Sequence, residues 1–138
     1  MANRIPTYVD ATSEKISEVP AGDFLSTEGN GLAEGHTALS GTTPSISLNA
    51  GGSFSLTLSG STTFSFADAP ATGSSGFSLM ITQDAGGSGY TVTWPASVKW
   101  PGGTAPDLTA TADKTDAFVF TTSDGGVSFV GLVAGKDI

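Results

Sequence analysis

The stretch "DAFVFTTSDGGVSFVGLVAG", residues 116–135, decides the fold of this chain. Asp124-Gly125-Gly126 separates two apolar runs, and a glycine turn in that position predicts a β-hairpin. Both runs carry Val, Phe or Leu at odd and at even positions, which is typical of strands that are covered on both faces. The chain is therefore expected to be built from paired strands.

Short runs upstream of this hairpin alternate apolar with small polar residues, the period of two that gives a β-sheet one buried face. Their apolar members are Ile46, Leu48, Phe54, Leu56, Leu58, Phe64, Phe66, Phe77, Leu79, Ile81, Tyr90, Val92 and Trp94. Glycine-rich turns separate the runs. Seven or eight short strands at this spacing predict an all-β domain over residues 45–138, an antiparallel β-sandwich or jelly roll.

The chain before this domain divides into two zones. Residues 1–25 interleave apolar side chains with charges and two prolines, and we predict an extended N-terminal arm. A two-stranded hairpin there would be marginal in water, so the arm is expected to lean on another surface. Residues 26–44 are rich in Gly, Ser and Thr, which predicts a linker.

Composition argues against several classes of function. The net charge is −8 and only five Lys and Arg are spread over 138 residues, so no basic face is available for nucleic acid. Without cysteine there is neither a disulfide nor a thiolate metal site. No apolar run reaches the ~18 residues of a membrane span, and no signal peptide is recognisable. We expect synthesis in a cytoplasm, no membrane insertion and no nucleic-acid partner.

Catalytic residue types are scarce. The single histidine, His36, lies in the predicted linker, so a Ser-His-Asp triad would need its base on a flexible segment. Turn aspartates usually bond their own backbone, and their spacing fits no calcium loop. Two of them could still converge to hydrolyse a sugar, but the sequence selects no pair. We therefore predict a protein that is not an enzyme and has no cofactor or metal.

The two tryptophans of the chain each precede a proline, in "WPASVKWP", residues 94–101. A residue before proline is extended, and proline cannot donate to a β-ladder, so both pairs should end strands at a sheet edge. Two interpretations stay open. Trp94 and Trp100 either cover the core or pack against a neighbouring subunit, or they form with Tyr90 an aromatic platform for a glycan.

Residues 56–138 resemble a C-terminal β-domain of tailed-bacteriophage virion proteins, chiefly tail-fibre and other minor structural proteins. The resemblance rests on five blocks, which are "LTLSGSTTF" at 56–64, "LMITQD" at 79–84, "TVTWPASVKWPGGTAP" at 91–106, "DGG" at 124–126 and "AGKD" at 134–137. The long Trp-Pro block is the most specific of them. The stretch "RIPTYVDATSEKISEVPAGD" is similar to segments that dock such domains to the particle.

The resemblance implies a virion structural protein made in the host cytoplasm. Without shaft repeats, a capsid decoration protein, a short fibre or a knob is expected, as a homo-oligomer, with a trimer implied, bound to capsid or tail proteins. The expected anchor residues of the arm are Ile5, Pro6, Tyr8, Val9, Ile16 and Val19. The alternative is a tail-associated receptor-binding protein that holds a host-surface glycan with Tyr90, Trp94 or Trp100.

Overall fold

The computed structural model describes residues 35–138, and its regular elements are strands apart from two short 3-10 turns at Leu48–Ala50 and Pro101–Gly103. The strands are β1 (His36–Ala38), β2 (Ser45–Ser47), β3 (Ser53–Thr57), β4 (Thr62–Thr63), β5 (Ser65–Ala67), β6 (Ser75–Thr82), β7 (Val92–Thr93), β8 (Val98–Lys99), β9 (Thr115–Thr122) and β10 (Phe129–Gly135). The all-β prediction is confirmed. Across this part of the chain, no helix has the length and apolarity needed to cross a bilayer.

Six strands form one sheet in the order β1-β3-β6-β9-β10-β8, and two small ladders, β2–β5 and β4–β7, form a second layer. The predicted hairpin is confirmed, because β9 and β10 pair antiparallel around the Asp124 turn. The prediction that the strands pair antiparallel is wrong for most of the ladders. Only β6–β9 and β9–β10 are antiparallel, and the other five ladders are parallel.

The parallel pairing follows from the route of the chain between layers. The connection from β1 to β3 carries β2, and the connection from β3 to β6 carries β4 and β5, so each return to the large sheet crosses the second layer first. Parallel neighbours require such long crossovers. Parallel and antiparallel strands show the same period of two in the sequence. The alternation therefore did not reveal that the sheet is mixed.

The core lies between the two layers. Phe54 and Leu56 of β3, Phe77, Leu79 and Ile81 of β6, and Phe118 and Phe120 of β9 are buried on the inner face of the large sheet. Phe66 of β5 packs against this face, with ring centroids 4.9 Å from Phe77 and 5.1 Å from Phe120. The alternation seen in the sequence thus gives a sandwich-like fold with one large and one small layer.

The opposite, outer face of the large sheet is exposed in part. The side chains of Val130 and Leu132 in β10 are 49% and 45% exposed, and Met80 in β6 is 44% exposed. The prediction that the two hairpin strands are covered on both faces is therefore wrong for the single chain over residues 35–138. Their inward residues are covered by the second layer, and none of the described strands covers the outward ones.

The sheet also begins earlier than the predicted domain boundary at residue 45. His36–Ala38 lies within the predicted linker but forms β1, which pairs parallel with β3. Backbone pairing with β3 satisfies the polar groups of these residues, although none of their side chains is large and apolar. Residues 26–34 of the predicted linker and the whole predicted arm lie outside the described residues.

Candidate functional site

The Trp-Pro block folds back onto the aromatic core. Trp94 stacks on Phe64 with ring centroids 5.5 Å apart and an interplanar angle of 13°, and its edge meets Phe118 at 5.1 Å. Trp100 meets Trp94 at 5.3 Å in an edge-on arrangement. Both indoles are half-buried and pack against the core. This placement favours the packing interpretation, because each indole contacts several aromatic rings of the core.

Tyr90, the third predicted aromatic contact, is held by a buried amide. The side-chain Nε2 of Gln83 donates to the Tyr90 carbonyl oxygen at 2.9 Å, and the Tyr90 backbone N–H donates to Oε1 of Gln83 at 3.2 Å. Gln83 is 2% exposed, so water cannot replace these bonds. The pair closes the loop over residues 84–89 and fixes the position of Tyr90.

Tyr90 lines a surface cleft of about 260 Å³ together with Gly89, Thr91, Val92, Pro106, Asp107 and Leu108. The second wall of the cleft is also fixed. Lys136 donates to the backbone oxygen of Asp107 at 2.6 Å, and the buried carboxylate of Asp116 accepts from the backbone and the hydroxyl of Thr109 at 2.7 and 2.8 Å. The cleft therefore combines an aromatic residue, a carboxylate and two braced loops.

Other aspartates bond the turns in which they stand. Asp124 accepts from the Ser128 hydroxyl at 2.6 Å, from the Ser128 backbone N–H and from the Thr122 hydroxyl at 2.9 Å. These bonds lower the pKa of Asp124 to about 2, with the Ser128 hydroxyl the largest cause. The backbone N–H of Ser88 and further turn bonds likewise lower the pKa of Asp84. Within residues 35–138, no group of three potential ligands could hold a metal ion.

His36 bridges two serines at the edge of the large sheet. Its Nδ1 lies 2.9 Å from the hydroxyl of Ser53 and its Nε2 lies 3.0 Å from the hydroxyl of Ser55. A neutral imidazole has one donor and one acceptor nitrogen, so one serine accepts and the other donates. Both ring nitrogens are thereby occupied by hydroxyls, and none of the carboxylates within residues 35–138 bonds the ring as the orienting residue of a triad would. The histidine is exposed, as expected, but stands on a strand.

The outer face of the large sheet carries some of the apolar residues of the hairpin strands. The sequence showed that these residues exist but not where on the surface they lie. Leu132 pairs with Val119, and Val119 pairs with Ser78, next to Met80 on β6. Val130 lies two residues from Leu132 on the same face. Together these four apolar residues, Met80, Val119, Val130 and Leu132, form a continuous strip, called the outer strip below.

The predicted anchor residues Ile5, Pro6, Tyr8, Val9, Ile16 and Val19 lie outside the described residues. Of the predicted aromatic contacts, Trp94 and Trp100 are brought together in the core, and Tyr90 stands at the cleft. Comparison with known proteins found no matching protein family, curated protein or solved structure.

Proposed function

We propose that this protein is a non-enzymatic structural component of a tailed-bacteriophage particle, a small decoration protein or a short fibre or knob. In this proposal the β-domain is displayed, and the segment 1–25 holds it to capsid or tail proteins. The observation that carries the proposal is the structural role of the sequence blocks in which the chain resembles phage β-domains. Over residues 35–138, those blocks brace the fold.

Four of the five blocks support this proposal. "TQD" supplies Gln83, which closes a loop on Tyr90. "TVTWPASVKWP" supplies two indoles to the core. "DGG" supplies Asp124, which bonds its own turn. "AGKD" supplies Lys136 and the backbone N–H of Asp137, which bonds the buried Asp116 at 3.0 Å. In these blocks the polar side chains hold loops and turns of the domain in place. A domain stabilised in this way is suited to display on the surface of a particle.

The anchoring role falls to the N-terminal segment on physical grounds. Its apolar residues alternate with charges and are too few for a core of their own, so they gain most by ordering on a preformed groove of a partner. An oligomer, a trimer as the resemblance implies, would multiply a weak contact per arm by avidity. The net charge of −8 would keep densely displayed copies soluble.

The location of the protein tests this proposal. Particles of the phage that encodes the chain are purified by density gradient, and an antibody against the β-domain is applied for electron microscopy. We expect labelling at repeated positions on the head or at the tail. Particles that carry no label and no peptide of the chain by mass spectrometry would contradict the proposal.

The cleft at Tyr90 favours a second function, attachment to a host-surface glycan. A sugar ring presents C–H groups that pack on an aromatic residue and hydroxyls that donate to a carboxylate, and the cleft offers Tyr90 and Asp107 for these contacts. Because Gln83 and Lys136 fix its two walls, binding would cost little ordering of the loops.

Substitution at Asp107 tests glycan attachment without touching the core. Asp107 is exposed, and Lys136 bonds its backbone oxygen, so Asp107→Ala should leave the fold intact. If the cleft binds glycan, this variant loses binding to host cells at unchanged melting temperature, while Asp113→Asn keeps it. That control makes the same charge change outside the cleft, and Asn tolerates the positive φ of 58° at position 113. If the Asp107 variant binds host cells as well as the control variant does, the glycan function is rejected.

A further inference from the structure

The outer strip presents a mismatch between sequence and single-chain structure. Strands β9 and β10 carry apolar residues on both faces, as strands do when both faces are covered. Yet Val130, Leu132 and Met80 are each between 44% and 49% exposed. Isolated exposed apolar residues are ordinary, but a contiguous group on one flat face indicates a contact surface.

The charge distribution indicates which kind of partner the face fits. The outward positions of the six strands contain no Asp or Glu, whereas Asp116, the one acidic residue within a strand of this sheet, points inward and is buried. The only lysine on the outward positions is Lys99, beside Val130. In a chain of net charge −8, two copies can approach on this face without bringing Asp or Glu side chains of its strands together.

The size of the face is sufficient for a specific contact. Its six strands lie side by side at about 4.8 Å spacing with about 3.3 Å per residue, which over their combined length gives a face of about 500 Å². Two such faces together would bury about 1,000 Å², at the lower limit of a specific protein interface. The side chains flanking the strip, such as Ser78 and Thr121, are small, so a second sheet can approach closely.

We propose that the outer face of the six-stranded sheet is the contact surface between copies of this chain, with the outer strip at its centre. A second copy supplies what the face lacks, an apolar strip of the same length with no Asp or Glu at the outward strand positions around it. The contact converts the one-sided sheet of the single chain into a sheet covered on both faces. This inference rests on the described domain and not on the phage assignment.

Sedimentation equilibrium of the full chain at micromolar concentrations tests the inference. We expect a mass of two or more chains. Leu132→Lys and Val130→Lys each place an ammonium group in the contact, where burial without a partner is costly, so each should weaken association at least about tenfold. Val127→Lys is the matched control, since Val127 is 78% exposed, in the turn before β10 and off the sheet face.

The outcomes separate cleanly. Association that is lost in both face variants and retained in Val127→Lys, with unchanged circular dichroism in all three, supports the inference. A monomeric wild-type chain would overturn it. An oligomer that resists both face substitutions would also overturn it. Presence in the particle is measured separately, so failure here leaves the proposed function standing.

Discussion

The indole ring of Trp100 lies directly against Gly131 of β10, so closely that a Cβ atom at position 131 would come within 2.8 Å of the ring. Gly131 faces inward and is the residue opposite Phe120 on β9. The contact explains a glycine in the middle of an apolar strand. It also shows how the Trp-Pro block docks on the sheet, with β8 paired beside β10.

Gly131→Ala should therefore destabilise the domain, by about 1–3 kcal/mol, the usual range for overpacking a filled core. Trp94 and Phe120, with ring centroids 5.3 and 5.7 Å from that of Trp100, limit how far the indole can shift. Urea denaturation measures the change. In a Trp100→Ala background the same substitution should cost much less, and equal costs in both backgrounds would contradict the contact.

Trp94→Ala should lower the melting temperature strongly. The substitution removes the stacked partner of Phe64 and the edge contact with Phe118, and large-to-small changes of buried aromatics cost about 3–5 kcal/mol. Because the ring is only half-buried, the lower end of this range is expected. A variant with unchanged melting temperature but lost cell binding would instead support the aromatic platform for a glycan.

Gln83→Glu should make stability depend on pH. A protonated carboxyl group at position 83 can still donate to the Tyr90 carbonyl oxygen, but an ionised one presents two acceptors to it in a buried site. Burial and the facing oxygen raise the folded pKa of the introduced carboxyl above the unfolded value of about 4.3. The free energy of unfolding of the variant should be only slightly below that of wild type under that pH, and about 2 kcal/mol below it near pH 7. Equal deficits at both pH values would rule out the amide-backbone pair.

Asp124→Asn should remove a stabilisation that depends on ionisation. The bonds from Ser128 and Thr122 lower the folded pKa of Asp124 from 3.8 to about 2. The carboxylate therefore stabilises the fold fully above the unfolded pKa, and this contribution is lost as pH falls towards the folded value. The stability gap between wild type and variant should shrink as the pH is lowered from about 5 to about 2. A stability gap that stays constant over this pH range would contradict the account.

The sequence predicted those parts of the fold that depend on near neighbours. The Asp124 turn lies between two apolar runs, so the β9–β10 hairpin was foreseeable. Alternation identified the inward residues from Phe54 to Phe120. The mixed pairing was not foreseeable, because β1, β3 and β6 pair across long crossovers that leave no signal in a local pattern.

The candidate sites were harder to predict than the fold, because they bring together residues that are far apart in the sequence. Tyr90 was singled out by its aromatic side chain, but its cleft partner Asp107 looked like any turn aspartate until the two loops met. Gln83 was missed, since a glutamine carries no pattern of its own and its function comes from a carbonyl group seven residues away. The outer strip was visible only as a surplus of apolar residues in β9 and β10.

Removal of residues 1–25 tests the central claim, that the protein is a particle component held by its N-terminal segment. The truncated and the full chain are expressed in turn as the sole copy during infection, and the purified particles are quantified by mass spectrometry. The account predicts that the full chain is present at a fixed copy number and that the truncated chain, folded by circular dichroism, is absent. Truncated chain on particles at the normal copy number would contradict it.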